Sequence, residues 1–193
     1  MRIIILNKIP DNCFILPYYF LSIFYNICLC TRIFLTMQLY KNITQPHFPY
    51  LVFTSAGDHS NIDQWLRGER HFDLWITYYG DQQERLKDKA DFYNQRKDGK
   101  FPNLYYLYQM FPDILEKYQA IMVMDDDIII DTESINQLFR IRERYDLWLL
   151  QPSFDPRGKN SHWITITNPR CLLRYTNFVE LGCPLFRKIC ISQ

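Results

Sequence analysis

The sequence predicts an α/β domain whose sheet is mostly parallel and flanked by helices. From Pro49 onward, short apolar runs rich in β-branched and aromatic residues alternate with stretches of helical periodicity, and this alternation is typical of a parallel sheet. The apolar runs are continuous, as expected for strands that are buried on both faces. We therefore predict a Rossmann-like sheet that binds ligands at the carboxyl ends of its strands.

Four strands are predicted where an apolar run ends in a turn or in charged residues. Between them, the capping-box spacing from Ser60 to Asp63 predicts a helix that continues through Leu66. Pro102 can open a second helix, which Pro112 breaks or restarts. The apolar stripe of residues 132–145 predicts a third, amphipathic helix. The predicted strands are residues 50–54, 73–79, 120–124 and 147–151.

Two segments are less regular. Mixed charges fill residues 82–100 and predict a solvated helix face and a loop, in which Arg96, Lys97 or Lys100 could contact a diphosphate. Beyond Pro152, half-exposed strands are predicted at residues 163–167 and 175–181. His162 and Glu180 have acid/base potential there, although a structural role is favoured for His162.

Three consecutive aspartates, Asp125, Asp126 and Asp127, follow the predicted strand at residues 120–124. Adjacent carboxylates repel one another at neutral pH unless they are solvated, partly protonated or share a cation. Oxygen ligands on alternate residues suit a hard ion such as Mg²⁺ or Mn²⁺, completed by waters and substrate phosphates. The alternative is a solvated turn that leads into the next helix, with Asp131 or Thr132 as its cap.

The composition allows one domain and excludes several classes of protein. A chain of 193 residues with 48% hydrophobic and 17% aromatic residues can bury a substantial core. A net charge of +1 argues against a general nucleic-acid-binding protein, which usually carries a basic excess. The six cysteines lack the paired spacing with nearby histidines that a structural zinc site requires.

The first 46 residues differ from the domain predicted for residues 47–193. Residues 13–31 contain no charged side chain and are just long enough to span a bilayer. We expect an uncleaved signal-anchor or membrane-associated segment with a stem; the alternative is an apolar appendage that packs on the domain. If the source is eukaryotic, the anchor predicts a single-pass membrane protein of the Golgi or secretory pathway. If it is not, we expect a cytoplasmic or membrane-peripheral protein. Asn42-Ile43-Thr44 also matches the acceptor pattern for N-glycosylation.

An ordered series of short blocks resembles a known family. An apolar strand that runs into three aspartates is similar to the Asp-x-Asp metal motif of GT-A glycosyltransferases. More specifically, the chain from roughly Pro49 to Phe186 resembles an uncharacterised family of inferred glycosyltransferases, the domain of unknown function 707. The blocks that carry this resemblance are residues 124–128, 148–152, 161–162, 168–169 and 174–180.

The resemblance implies a GT-A-like fold and a metal-dependent transferase that moves a sugar from a nucleotide-sugar donor to a hydroxyl of a glycan, protein or lipid acceptor. By position, Asp125 and Asp127 would bind Mn²⁺ or Mg²⁺, and Asp126 would face the ribose or sugar. Glu180 is the candidate base for the acceptor hydroxyl. The loop after the first strand would border the nucleotide through Thr54, Ser55, Gly57 and Asp58.

The GT-A domains that the chain resembles usually continue well beyond such blocks, whereas this sequence stops at Gln193. We therefore expect the fold to be incomplete at its C-terminal end. One alternative function is a catalytically inactive, truncated and membrane-associated interaction module that keeps the donor half of the site. Another is a metal-dependent phosphohydrolase, which is disfavoured because the additional histidine ligands of many such sites are not evident.

Overall fold

Nine strands and four helices form the part of the chain that the computed structural model describes, residues 3–6, 38–82 and 84–188. The helices are α1 (Ile62–Trp65), α2 (Lys100–Met110), α3 (Pro112–Leu115) and α4 (Thr132–Arg144). The strands are β1 (Ile3–Leu6), β2 (Tyr40–Lys41), β3 (Tyr50–Ala56), β4 (Asp73–Tyr78), β5 (Phe92–Gln95), β6 (Ala120–Asp125), β7 (Leu149–Pro152), β8 (Leu173–Thr176) and β9 (Leu185–Arg187).

The strands form one mixed sheet in the order β2-β5-β4-β3-β6-β9-β7-β1-β8. Its central part is the parallel run β5-β4-β3-β6, in which β3 pairs with both β4 and β6; β1 and β8 are also parallel to each other. β9 is antiparallel to β6 and to β7, and so joins the parallel part to the β7-β1-β8 side. The chain thus moves outward from β3 through β4 to β5 and then returns to β6 on the other side of β3. Such a reversal of strand order leaves a crevice at the carboxyl ends of β3 and β6.

Helices cover both faces of the sheet because the central strands are apolar on both faces. All seven residues of β3 are buried, and successive side chains of a strand point to opposite faces. Val52 belongs to a hydrophobic cluster with Phe139 of α4, whereas Phe53 belongs to a cluster with Leu104 of α2. The predicted α/β architecture with a sheet between helices is confirmed.

Several predicted elements differ from those in the structure. The predicted capping box is wrong: α1 begins after Asn61, which makes no side-chain cap. Residues 163–167 do not form a strand, because Thr165 donates both its N–H and its hydroxyl to the His162 carbonyl and closes a 3-10 turn at Trp163–Thr165. The charged segment 82–100 contains the buried strand β5. By contrast, the predicted cap of α4 is confirmed, since Ser134 N donates to the Asp131 side chain at 2.7 Å.

The N-terminal predictions meet the structure only in part. The apolar segment at residues 13–31 lies outside the described residues. Within residues 3–6, 38–82 and 84–188, no helix has the length and the hydropathy that crossing a bilayer requires. Asn42 of the glycosylation pattern donates its side-chain amide to the carbonyls of Lys87, at 3.0 Å, and Ala90. A glycan on that nitrogen would leave at most one N–H for these two carbonyls.

Candidate functional site

A polar cleft of about 460 Å³ lies at the carboxyl ends of β3 and β6, where the strand order reverses. The parallel pairing of these strands places Ser55 beside Asp125. The pairing of β3 with β4 ends at Ala56 and Tyr78, which brings Tyr79 to the same rim. The cleft is lined by Ser55, Tyr79, Lys97, Asp98, Gly99, Lys100, Asp125, Asp126 and Asp127.

The Asp125 carboxylate forms an ion pair with Lys100, the first residue of α2. Lys100 Nζ lies 2.6 Å from Asp125 Oδ1, and it also donates to the carbonyls of Leu181 at 2.6 Å and Gly182 at 3.2 Å. An ammonium has three donors, so Lys100 is fully hydrogen-bonded although its side chain is only 10% exposed. Burial lowers the pKa of Lys100, and the hydrogen bond and charge of Asp125 oppose that shift. Lys100 therefore fixes the position of Asp125.

The Asp126 carboxylate accepts a hydrogen bond from Gly57 N at 2.8 Å, which joins the loop after β3 to the end of β6. Burial raises the pKa of Asp126, the Gly57 hydrogen bond opposes the shift, and the Asp127 charge adds to it. Burial and the nearby Asp126 carboxylate also raise the pKa of the Tyr79 phenol. A Cβ at Gly57 would lie 2.8 Å from the Tyr79 ring, so a side chain there would require this ring to move.

The Asp127 side chain is exposed, but its backbone is held in place. Asn61 donates its side-chain amide to the Asp127 carbonyl at 2.7 Å and its backbone N–H to the Asp126 carbonyl at 2.7 Å. Asp127 also lines a second cleft, of about 380 Å³. The aspartates thus border two polar clefts that share one residue. The second cleft is lined by Asp58, His59, Ser60, Asn61, Arg85 and Asp127.

Asp58 ties the loop after β3 to the end of β4. It accepts hydrogen bonds from the Tyr78 hydroxyl and, at 3.3 Å, from Asp81 N. The Tyr78 hydrogen bond is the main cause that lowers the pKa of Asp58. A Cβ at Gly80 would lie within 2.6 Å of the Asp58 carboxylate, so this contact also depends on a glycine.

The N-terminus of α2 adds positive character to the first cleft. Gly99 and Lys100 line the cleft, and no side chain of the described residues caps this helix of eleven residues. Free N–H groups at a helix N-terminus, together with the helix dipole, attract anions. The Lys97 side chain, which is 71% exposed, pairs with Asp81 at 2.5 Å. The cleft therefore combines carboxylates that suit a cation with donors that suit an anion.

The aspartates can supply some of the ligands of a divalent cation, and a bound substrate and waters would supply the others. Among the described residues, the triplet is not a group in which three ligand atoms lie within 4.8 Å of one another. Mg²⁺ often binds through one or two carboxylates together with waters and substrate phosphates. Asp125 and Asp127 can supply those carboxylates, since the ion pair with Lys100 leaves lone pairs on Asp125.

Three residues predicted for the site, Thr54, Gly57 and Glu180, line neither cleft. Thr54 is fully buried, and its hydroxyl donates to the Ser55 carbonyl at 3.3 Å. The Glu180 carboxylate accepts a hydrogen bond from Thr165 Oγ1 at 3.2 Å. The predicted residues that the structure brings together are Ser55, Lys97, Lys100, Asp125, Asp126 and Asp127 in the first cleft, Asp58 in the second, and Gly57 against Asp126.

Tyr79 and Asn103 belong to the site although the sequence does not mark them. Asn103 is buried and donates its side-chain amide to Ser55 Oγ at 2.9 Å, which connects α2 to the end of β3. The only available signal for Tyr79 is its position at the end of a predicted strand. Both residues reach the site through contacts between segments that are distant in the sequence.

The fold and the cleft define a class of protein, an α/β domain with an acidic site where its strand order reverses. No protein-family model matches the chain, and no curated protein and no solved structure matches it. The GT-A-like variant of the fold and the family resemblance stay predictions.

Proposed function

We propose that this chain binds a nucleoside-diphosphate sugar with Mn²⁺ or Mg²⁺ in the first cleft, as the donor-binding domain of a GT-A-like glycosyltransferase. One observation carries the proposal: Asp125 and Asp127 lie where the strand order reverses, beside the uncapped N-terminus of α2. Carboxylates suit the cation, and a helix N-terminus suits a diphosphate. A nucleoside diphosphate with a bound metal ion carries both a cation for the carboxylates and phosphate oxygens for the helix N-terminus.

Four side chains of the cleft have a role in this proposal. Asp125 and Asp127 would hold the cation, which when bound neutralises charge on the departing diphosphate. Lys100 positions Asp125 and keeps its own ammonium on protein acceptors. Lys97 and the backbone N–H of Lys100 would contact the phosphates, since Pro102 in the first turn of α2 has no N–H. The acceptor would be a hydroxyl of a glycan, protein or lipid.

Calorimetric titration of UDP into the full chain, with and without Mn²⁺, tests the proposal. We expect UDP binding that depends on Mn²⁺ and that weakens at least about tenfold in Asp125→Asn and in Asp127→Asn, because each loses a ligand charge. Asp88→Asn is the matched control, since Asp88 is exposed and lies outside both clefts. The assignment of Asp125 and Asp127 as metal ligands would be contradicted if UDP affinity were the same with and without Mn²⁺, or the same in all three variants.

Nucleotide binding without sugar transfer is the second candidate, and the position of Glu180 favours it. Within the described part of the chain, the carboxylates that line the first cleft are those of Asp98 and the triplet, and Glu180 has a hydrogen-bond partner elsewhere. Turnover of UDP-sugars and GDP-sugars by the purified chain, measured as release of UDP or GDP, separates the two candidates. Turnover that falls in Glu180→Gln with unchanged UDP affinity would restore Glu180 as the base.

A further inference from the structure

A second polar group lies at the opposite edge of the parallel sheet. His47 precedes β3, Asp73 opens β4, and Asp91 directly precedes β5. Because these three strands are parallel, the residues at their amino ends share one edge, away from the aspartate triplet. One ligand atom of each side chain lies within 4.8 Å of the other two, and both aspartates are buried whereas His47 is exposed.

The Asp73 carboxylate is incompletely satisfied inside the protein. Its Oδ2 accepts hydrogen bonds from Tyr118 OH at 2.8 Å and from His47 N at 3.0 Å. The residue is 0% exposed, so water does not reach its Oδ1. No described residue forms a hydrogen bond with this buried oxygen. A buried polar atom without a partner destabilises the folded state. An unpartnered carboxylate oxygen in an acidic group therefore points to a bound cation.

The charges and supporting contacts of the group also suit a cation. Arg70 forms two hydrogen bonds with Asp91, at 2.7 and 2.8 Å, and this guanidinium neutralises only one of the two carboxylates. Leu74 N donates to Asp91 Oδ2 at 2.7 Å. Together with Tyr118, these donors orient both carboxylates, as outer partners of metal ligands do.

We propose that His47, Asp73 and Asp91 bind a divalent transition-metal ion, with Zn²⁺ as the closest match. One imidazole and two carboxylates are ligands that zinc accepts, and solvent at the exposed His47 provides a fourth ligand and a path of entry. Around a tetrahedral zinc ion, neighbouring ligand atoms lie about 3.3 Å apart, so ligand atoms up to 4.8 Å apart would have to move closer to bind the ion, and the exposed His47 side chain can make that movement. The ion would link the amino ends of β3, β4 and β5, independently of the nucleotide cleft.

Titration of the metal-free full chain with Zn²⁺ tests this site, by calorimetry and by thermal unfolding. We expect the wild-type chain to bind one zinc ion, and we expect its affinity for zinc to fall at least about tenfold in His47→Ala and in Asp73→Asn. Zinc should raise the unfolding temperature of the wild type but not that of these two variants. His47 is exposed, and asparagine keeps an acceptor for Tyr118, so both variants are expected to fold. The visible absorption of bound Co²⁺ provides an independent readout of the same ligands.

Two controls decide between this site and other zinc ligands of the chain. His71→Ala removes another exposed histidine, and Asp125→Asn/Asp127→Asn removes the ligands proposed in the cleft; zinc binding should persist in both. The proposal is overturned if the wild-type chain binds no zinc, or if His47→Ala and Asp73→Asn bind it as tightly as the wild type. It is equally overturned if the cleft variant abolishes zinc binding.

Discussion

At the scale of single residues, the ion pair of Lys100 and Asp125 connects three parts of the chain. Lys100 opens α2, Asp125 ends β6, and the two carbonyls that Lys100 contacts, those of Leu181 and Gly182, precede β9. Gly182 O also accepts the Asp125 N–H at 2.8 Å. The aspartates are visible in the sequence because they are consecutive. The charged segment 82–100 predicts Lys100 only as one of three possible diphosphate contacts, and its ion pair with Asp125 is visible only in the fold.

Lys100→Met should lower the free energy of unfolding by about 1–3 kcal/mol, because Asp125 loses its ion-pair partner and the carbonyls of Leu181 and Gly182 each lose one hydrogen bond. Lys97→Met is the matched control: its ion pair with Asp81 is exposed, and the expected change is within about 1 kcal/mol. Urea unfolding followed by circular dichroism measures both. Equal losses in the two variants would show that Lys100 does not fix the site.

Cys183 lies beneath the cleft and is fully buried. Burial raises the pKa of its thiol to about 12, and only the thiolate is reactive. We therefore expect Cys183 to resist iodoacetamide at about pH 8 in the native chain and to react after unfolding in urea. Cys171, which is half-buried, is the internal comparison, and peptide mass spectrometry reads both. Native labelling of Cys183 as fast as that of Cys171 would contradict its position.

At the scale of elements, the sequence predicts those whose own pattern is strong. β3, β6 and α4 have long apolar runs or a clear helical period, and they form where predicted. β5 and β9 are short, with four and three residues, and β5 lies within a charge-rich segment. Their strand conformation comes from pairing with β4 and with β6 and β7, which no local pattern encodes.

Asp131→Ala should reduce the free energy of unfolding by about 0.5–2 kcal/mol, because α4 loses the acceptor for Ser134 N. Asp131→Asn keeps a capping oxygen and should be nearly neutral. Urea unfolding of the two variants beside the wild type measures the difference. If alanine and asparagine give the same stability, the side chain of residue 131 does not act as the cap.

At the scale of the whole molecule, β9 is the junction between the parallel strands and the β7-β1-β8 side of the sheet. Leu185 of β9 is fully buried in the cluster beneath α4. Its backbone pairs with Met122 and Leu150, so both neighbouring strands depend on it.

Leu185→Asp should cost at least about 3 kcal/mol, since it places a carboxylate in an apolar core. Arg187→Ala is the control in the same strand, because the ion pair of Arg187 with Asp146 is partly exposed and is worth about 0–1 kcal/mol. Thermal unfolding compares them. If Leu185→Asp unfolds at the same temperature as Arg187→Ala, β9 does not hold the two sides of the sheet together.

The central place of β9 has a consequence for the order in which the chain folds during synthesis. β9 comes after every other described strand in the sequence, yet it lies between β6 and β7. Until residues 185–187 leave the ribosome, the facing edges of β6 and β7 lack their shared neighbour, and open strand edges are templates for pairing with other chains. The sheet therefore cannot close until residues 185–187 are available, and a chain that is released before β9 is made would be prone to aggregation.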